Sequence, residues 1–219
     1  MDTYDALLAA FGPQHWWPGE TQLEIAVGAI LTQNTSWTNV EKAIENLKQA
    51  DMLDLARLRD VHPRTLARLI KPSGYFNIKA KRLKAFVDWT WEEFGGDLDA
   101  MFERDVRSLR EDLLSVKGIG PETADSILLY AGGLPVFVVD AYTYRICRRH
   151  RLILEDATYD EIAEFFTDCL PEDVALYNEY HALLVVLGKT ICKRRKPRCE
   201  VCPVRDLFDG APELLEEDL

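Results

Sequence analysis

The chain of 219 residues carries 26 basic and 37 acidic residues, for a net charge of −11, and 47% of its residues are hydrophobic. These values are typical of a soluble globular protein. There is no run of 18 or more apolar residues, so we expect no transmembrane helix. The acidic N-terminus lacks the basic region of a secretory signal. We expect a cytoplasmic protein, and because nothing in the sequence indicates an obligate oligomer, we expect a monomer.

Apolar residues recur at the spacing of amphipathic or buried helices along most of the chain. The predicted helices are 23–33, 40–50, 78–94, 106–116, 124–132, 141–150, 159–170 and 176–192. Only "VFVV" at 136–139 is typical of a strand, and it is too short to form a sheet. The sequence therefore predicts an all-α fold.

Basic residues gather locally although the whole chain is acidic. The clusters are "KAKRLK" (79–84), "RICRRHR" (145–151) and "KRRKPR" (193–198). A nucleic-acid partner needs a local basic face and not a basic total, so the net charge does not exclude one. For any single cluster, a solvated helix face is the more common explanation.

A glycine hairpin, "KGIGPET" at 117–123, joins two predicted helices. Gly118 and Gly120 allow positive φ and close approach of the backbone to a ligand. The N–H groups at the following helix start suit a phosphate, and Pro121 suits the first helical position. A simple helix–helix turn has the same composition.

Asp140 follows the apolar run and precedes "AYTYRIC". This position predicts an N-cap, in which the carboxylate accepts hydrogen bonds from the N–H groups of the next turn.

The stretch from 113 to 149 resembles the helix-hairpin-helix, Gly/Pro-rich loop and aspartate of the endonuclease III superfamily of DNA glycosylases. "AVGAILTQNTSW" (26–37) is similar to the early helix and DNA-wedging loop of that superfamily. "HALLVVLGKTICKRRKPRCEVCP" (181–203) is similar to its C-terminal helix and cluster loop. The resemblance implies that double-stranded DNA containing a damaged base is the partner and that Asp140 is catalytic. The residues that it assigns to DNA binding are Gln33, Asn34, Lys117, Gly118, Gly120 and Arg145, with Gln33 filling the gap left by an extruded base.

Glu122 marks a departure from the bifunctional members, which carry a Schiff-base lysine two residues after the second hairpin glycine. A carboxylate cannot form an imine with C1′. The sequence therefore predicts a monofunctional enzyme in which Asp140 activates water and stabilises the developing oxocarbenium ion.

The predicted base pocket consists of Trp16, Trp17, Pro18, Trp37 and Lys189. The combination of "WWP" (16–18), "ILTQNT" (30–35) and "KPSGYFNIKAKRL" (71–83) resembles the 3-methyladenine DNA glycosylase III branch, which removes N-alkylated purines. Two adjacent tryptophans on a helix or strand cannot both face one core, and an aromatic wall would stack a positively charged extruded base. Core packing is the alternative for each tryptophan. Lys189 follows His181 by eight residues, a spacing that in this branch marks a functional lysine; an exposed surface lysine is the alternative.

Cys192, Cys199 and Cys202 match three ligands of the superfamily's iron–sulfur loop, and Phe208 stands where its fourth cysteine would be. A 4Fe-4S cluster normally has four thiolate ligands. We expect such a cluster with Asp206, Asp209 or solvent at the fourth iron; a zinc site and a metal-free loop are the alternatives. The remaining cysteines, Cys147 and Cys169, are expected to be buried thiols.

The sequence predicts two helical lobes with a DNA-binding cleft. The predicted domains are 21–133, with the hairpin, and 1–20 plus 134–219, with Asp140 and the cysteine loop. The leading hypothesis is a monofunctional DNA glycosylase acting on alkylated purines. The alternatives are an endonuclease III-like enzyme acting on oxidised pyrimidines or abasic sites, and a non-catalytic protein that binds damaged DNA.

Overall fold

The computed structural model describes residues 1–17 and 19–208, and within them the all-α prediction is confirmed. The longer helices lie close to the predicted ranges, and several short ones were not predicted. The helices are α1 (Asp2–Phe11), α2 (Gln22–Thr32), α3 (Trp37–Gln49), α4 (Leu55–Asp60), α5 (Pro63–Leu69), α6 (Phe76–Phe94), α7 (Leu98–Phe102), α8 (Val106–Ser115), α9 (Pro121–Ser126), α10 (Ala141–Arg149), α11 (Tyr159–Cys169) and α12 (Val174–Thr190). Within the described part of the chain, no helix is long and apolar enough to cross a membrane.

The chain divides into two compact units. One is continuous, Trp17–Leu134, and the other combines Met1–Trp16 with Pro135–Leu219. The first contains α2 to α9 and the second contains α1 and α10 to α12.

The continuous unit is built around α2, on which α3, α6 and α9 pack. Its residues Ala26, Val27, Ile30 and Leu31 are buried. The chain leaves α9 through a wider helical turn at Ile127–Ala131, which also packs against α2. Since α2 is apolar on nearly all sides, the surrounding helices bury it as the core of this unit.

The discontinuous unit is built around α12, which packs against α1 and α10. Gly188 allows α10 to approach closely, because a Cβ at this position would lie 2.5 Å from the ring of Tyr142. This contact sets the position of α10, and so of the residue that precedes it, against α12.

The predicted strand at 136–139 is wrong, because among the described residues this segment has no regular secondary structure. The side chains of Phe137, Val138 and Val139 are buried, and the Phe137 ring stacks on Phe166 at 4.1 Å between centroids. The Val139 N–H donates to the hydroxyl of Tyr159 at 3.2 Å. The run is therefore apolar because it fills a helical core, and not because it pairs in a sheet.

Candidate functional site

Asp140 is the N-cap of α10, as predicted. Its Oδ1 accepts hydrogen bonds from the Thr143 N–H at 2.8 Å and from the Thr143 hydroxyl at 3.0 Å. Its Oδ2 lies 3.8 Å from Nε2 of His181. The cap thus occupies one carboxylate oxygen, and the other faces the imidazole.

His181 lies on α12 and is 4% exposed. Burial lowers the pKa of His181; Asp140 acts in the opposite direction, and Lys189 adds to the lowering. Burial therefore favours the neutral form of this imidazole, which faces Oδ2 of Asp140.

Trp16 packs beside this pair. Its ring lies 6.0 Å from the His181 ring in an edge-on arrangement, and the Lys189 ammonium lies 5.8 Å from its ring centroid. Lys189 is exposed near the end of α12. Residues from three separate parts of the chain thus form one cluster within a single unit: Trp16, Asp140, and His181 with Lys189 on α12.

Trp17 belongs to the other unit and packs differently. Its ring lies 5.0 Å from Trp37 and 4.9 Å from Tyr130, and a Cβ on Gly28 would lie 3.3 Å from its Nε1. Trp37 begins α3, where its indole N–H donates to Glu41 at 2.9 Å. The third predicted pocket residue in this stretch, Pro18, lies outside the described residues.

The helix-hairpin-helix is formed by α8, the turn at 116–120 and α9. Gly118 has φ of +94°, and a Cβ there would lie 2.4 Å from Cγ of Arg82, so the turn and its packing both require glycine. Gly120 has φ of −104°, so its backbone does not use the left-handed conformation that glycine allows. The helix begins at Pro121, as predicted.

Gln33 connects the end of α2 to the hairpin. Its Nε2 donates to the Gly118 carbonyl at 3.0 Å and to the Thr123 hydroxyl at 2.9 Å, and Arg82 donates to its Oε1. Asn34, the next residue, is exposed with φ of 53°. The Gln33 amide is thus bound to the hairpin, and its entry into DNA would require these bonds to break.

Lys79 was placed in a basic cluster by the sequence, but it is 1% exposed. Its ammonium on α6 donates to the Leu31 carbonyl at 2.8 Å, at the end of α2, and to the Ser73 carbonyl at 2.7 Å. Burial, with a smaller contribution from Arg82, lowers the pKa of Lys79 to about 8. Lys79 therefore anchors the end of α2, next to the loop that carries Gln33, by satisfying a terminal carbonyl.

The other residues assigned to DNA binding or lyase chemistry differ in setting. Lys117 and Glu122 are exposed, at the hairpin and in the first turn of α9. Arg145 donates to the Cys192 carbonyl at 2.9 Å and to the Gly188 carbonyl at 3.0 Å, with its guanidinium over the Tyr142 ring. These contacts hold α10 against the end of α12, and the assignment of Arg145 to DNA binding stays a prediction.

The three loop cysteines line one pocket. Arg149, which is 1% exposed, donates to the Cys192 sulfur at 3.2 Å and binds the carbonyls of Lys193 and Arg194. Burial raises the pKa of Cys199 and of Cys202, and Arg149 opposes this at Cys199. Thiolate ligands in this pocket would therefore depend on bound cations, and the buried guanidinium fits an anionic metal cluster.

The two cysteines outside the loop differ from each other. Cys147 is buried, as predicted, and burial raises its pKa to about 12. Cys169 ends α11 and is exposed, so its predicted burial is wrong. A residue in the last turn of an amphipathic helix can face either solvent or the core. The spacing of apolar residues does not distinguish these two positions at a helix end.

These elements define a helix-hairpin-helix protein with a capping aspartate and a cysteine loop. Known protein families with these features match the chain. Residues 27–172 match the family described as the HhH-GPD superfamily of base excision DNA repair proteins. Residues 192–207 match the iron–sulfur binding domain of endonuclease III. The chain belongs to the HhH-GPD superfamily and is a base excision repair glycosylase.

Among its relatives, "Putative DNA repair glycosylase MJ1434" of Methanocaldococcus jannaschii is 50% identical over 93% of this chain and 92% of its own length. An endonuclease III of Sulfolobus acidocaldarius is 31% identical over 82% of this chain and 78% of its own length. The crystal structure of H. pylori 3-methyladenine DNA glycosylase (MagIII) bound to 1,N6-ethenoadenine superposes with a TM-score of 0.73. It is 33% identical and covers 86% of this chain and 96% of that one. The resemblance predicted from the motifs is confirmed.

Proposed function

We propose that this protein is a monofunctional DNA glycosylase that binds duplex DNA and hydrolyses the glycosidic bond of alkylated purines. The observation that carries the proposal is the cluster around Asp140, in which a carboxylate oxygen faces a buried imidazole beside Trp16. The similarity to MagIII, a 3-methyladenine glycosylase, supports the substrate class.

In the proposed reaction, Asp140 acts on the sugar. The bond between C1′ and the base nitrogen breaks, the base leaves with the electron pair, and positive charge develops on the sugar ring. The Asp140 carboxylate stabilises this charge and accepts a proton from the water that adds to C1′. Burial lowers the pKa of His181, which disfavours an imidazolium beside this carboxylate.

Trp16 is proposed to contribute selectivity. N-alkylated purines such as 3-methyladenine carry positive charge, and an indole face attracts a cation by about 0.5–2 kcal/mol. The Trp16 ring already has the Lys189 ammonium at cation–π distance. A base that leaves as a neutral molecule needs little acid catalysis, so stacking and Asp140 are sufficient. Trp17 and Trp37 remain predicted pocket residues.

The hairpin is proposed to bind the DNA backbone. The exposed backbone at Lys117 and Gly118, together with the start of α9, presents N–H groups and a positive charge to a phosphate. The exposed "KRRKPR" segment supplies further positive charge.

The cysteine loop is proposed to hold a 4Fe-4S cluster, with Cys192, Cys199 and Cys202 as ligands. Bound there, the cluster would cross-link the loop and fix the basic segment 193–198, with no redox step in base release. Arg149 already binds two carbonyls of that segment, Lys193 and Arg194, which ties it to α10.

Base release from duplex DNA treated with a methylating agent tests the substrate class. We expect release of methylated adenine, separated and identified by chromatography, and little release from the same duplex carrying oxidised pyrimidines. Trp16→Leu should lower release from the methylated duplex, whereas Trp89→Leu, which alters an aromatic contact on α6, should not. Release of oxidised pyrimidines alone would contradict the proposal and favour the endonuclease III-like alternative, to which the Sulfolobus relative gives support.

Borohydride trapping tests the absence of lyase chemistry. We expect no covalent adduct between the wild-type protein and abasic DNA, since Glu122 cannot form an imine. Glu122→Lys should produce a trapped adduct, because the side chain is exposed in the first turn of α9, where the bifunctional enzymes carry their lysine. Glu122→Gln is the control. A trapped adduct that forms with both the wild type and Glu122→Gln would contradict the prediction and show that another amine forms the imine.

A further inference from the structure

Among the described residues, those expected from the sequence do not supply a fourth ligand for a cluster held by the three loop cysteines. Phe208 stands at the position of the missing cysteine. The side chain of Asp206 is 95% exposed, lies 3.8 Å from Arg205 and does not line the pocket. Asp209 lies outside the described residues.

The pocket itself contains another donor. Besides Cys192, Cys199 and Cys202, its lining includes His150, with Arg149, Ile191 and Arg205 completing the wall. His150 is the C-cap of α10, the helix that has Asp140 as its N-cap and Arg149 as its last residue. The position of His150 is therefore set by this helix. The sequence separates it from the cysteine loop by about forty residues, and only the fold brings them together.

The His150 ring is held in place by Phe208. Their ring centroids are 4.5 Å apart, with planes inclined at 41°. The residue that replaces the missing cysteine therefore packs against the imidazole instead of binding iron. A ring fixed by packing loses little conformational entropy on ligation.

We propose that His150 is the fourth ligand of an iron–sulfur cluster held by Cys192, Cys199 and Cys202. Imidazole replaces thiolate as an iron ligand in Rieske-type clusters, so the donor is chemically suitable. Among the described residues, no three candidate ligands converge closely enough to hold a single metal ion. Three thiols and an imidazole that line one pocket without converging on a point are better matched to a multinuclear cluster than to one zinc ion.

The charge balance of the pocket agrees with this ligand set. A neutral imidazole in place of a thiolate makes the centre one unit less negative, and the Arg149 guanidinium at 3.2 Å from the Cys192 sulfur adds a positive charge beside it. Both effects stabilise the reduced form, so the cluster should reduce at a higher potential than one with four thiolates.

Iron analysis and electron paramagnetic resonance test the proposal on the full chain, purified without oxygen. Wild-type protein should contain about four iron atoms per chain. Its reduced cluster should show hyperfine coupling to an imidazole nitrogen in pulsed measurements. His150→Ala should lose one iron and give the signal of a three-iron cluster, whereas His15→Ala, an exposed histidine in the same unit, should match wild type.

Two further variants keep the test decisive if His150→Ala folds poorly. His150→Cys should retain four irons but lose the nitrogen coupling. His150→Ala combined with Phe208→Cys should regain four irons, because a thiol then occupies the superfamily position. Absence of nitrogen coupling in wild type, or full iron content in His150→Ala, would overturn the proposal. None of these readouts depends on base release, so the result stands apart from the proposed substrate.

Discussion

Asp140→Asn should abolish base release while leaving the fold intact. Removing a general base with the accompanying charge stabilisation costs on the order of 10³-fold in rate. An asparagine Oδ1 can still accept the hydrogen bonds from Thr143 that Oδ1 of Asp140 accepts now, so the N-cap of α10 is preserved. Single-turnover release from methylated duplex DNA measures the rate, and urea unfolding measures the stability.

Asp140→Ala separates the two roles of this residue. It removes the cap as well as the charge, and the loss of a cap costs about 1 kcal/mol. The free energy of unfolding should therefore fall in Asp140→Ala but not in Asp140→Asn, whereas both variants should lose base release equally. If Asp140→Asn releases the base at the wild-type rate, the carboxylate takes no part in the reaction and Asp140 is a helix cap only.

Lys79→Met should destabilise the protein more than any exposed lysine substitution. Methionine fills a similar volume but leaves the buried carbonyls of Leu31 and Ser73 without the ammonium. Each unsatisfied group costs about 1–3 kcal/mol, so we expect a loss of about 3 kcal/mol in the free energy of unfolding at pH 7. Lys81→Met, an exposed position on the same helix, is the matched control.

The pH dependence provides an independent test of Lys79. The pKa of Lys79 is about 8 in the folded chain, whereas its ordinary value, which applies to the unfolded chain, is 10.5. Between pH 8 and 10.5 the unfolded chain therefore binds more protons than the folded chain. The stability of wild type relative to Lys79→Met should be constant below pH 8 and rise between pH 8 and 10.5, by about 3 kcal/mol in all. A flat difference across this range would show that the ammonium is not buried in solution.

The functional elements that sequence reasoning predicted share one property: their geometry is local. The Asp140 cap, the start of α9 at Pro121 and the turn at Gly118 depend on backbone conformation within a few residues. Helix periodicity also predicted α2 and α12, because buried helices are apolar on most faces. The segment 136–139 was mispredicted since its apolar side chains fill a helical core, which a short apolar run cannot distinguish from a strand.

Sequence alone thus determined the helical class, the hairpin, the capping aspartate and the three-cysteine loop. Only the tertiary structure decided which basic groups stabilise the fold. Lys79 and Arg145 belong to basic clusters in the sequence, yet both bind main-chain carbonyls at helix ends. His150 was not singled out at all, and it meets the cysteines through the docking of α10. The reason is that a side chain's role depends on the burial and partners it meets across long sequence separations, and these are set by helix packing and not by local spacing.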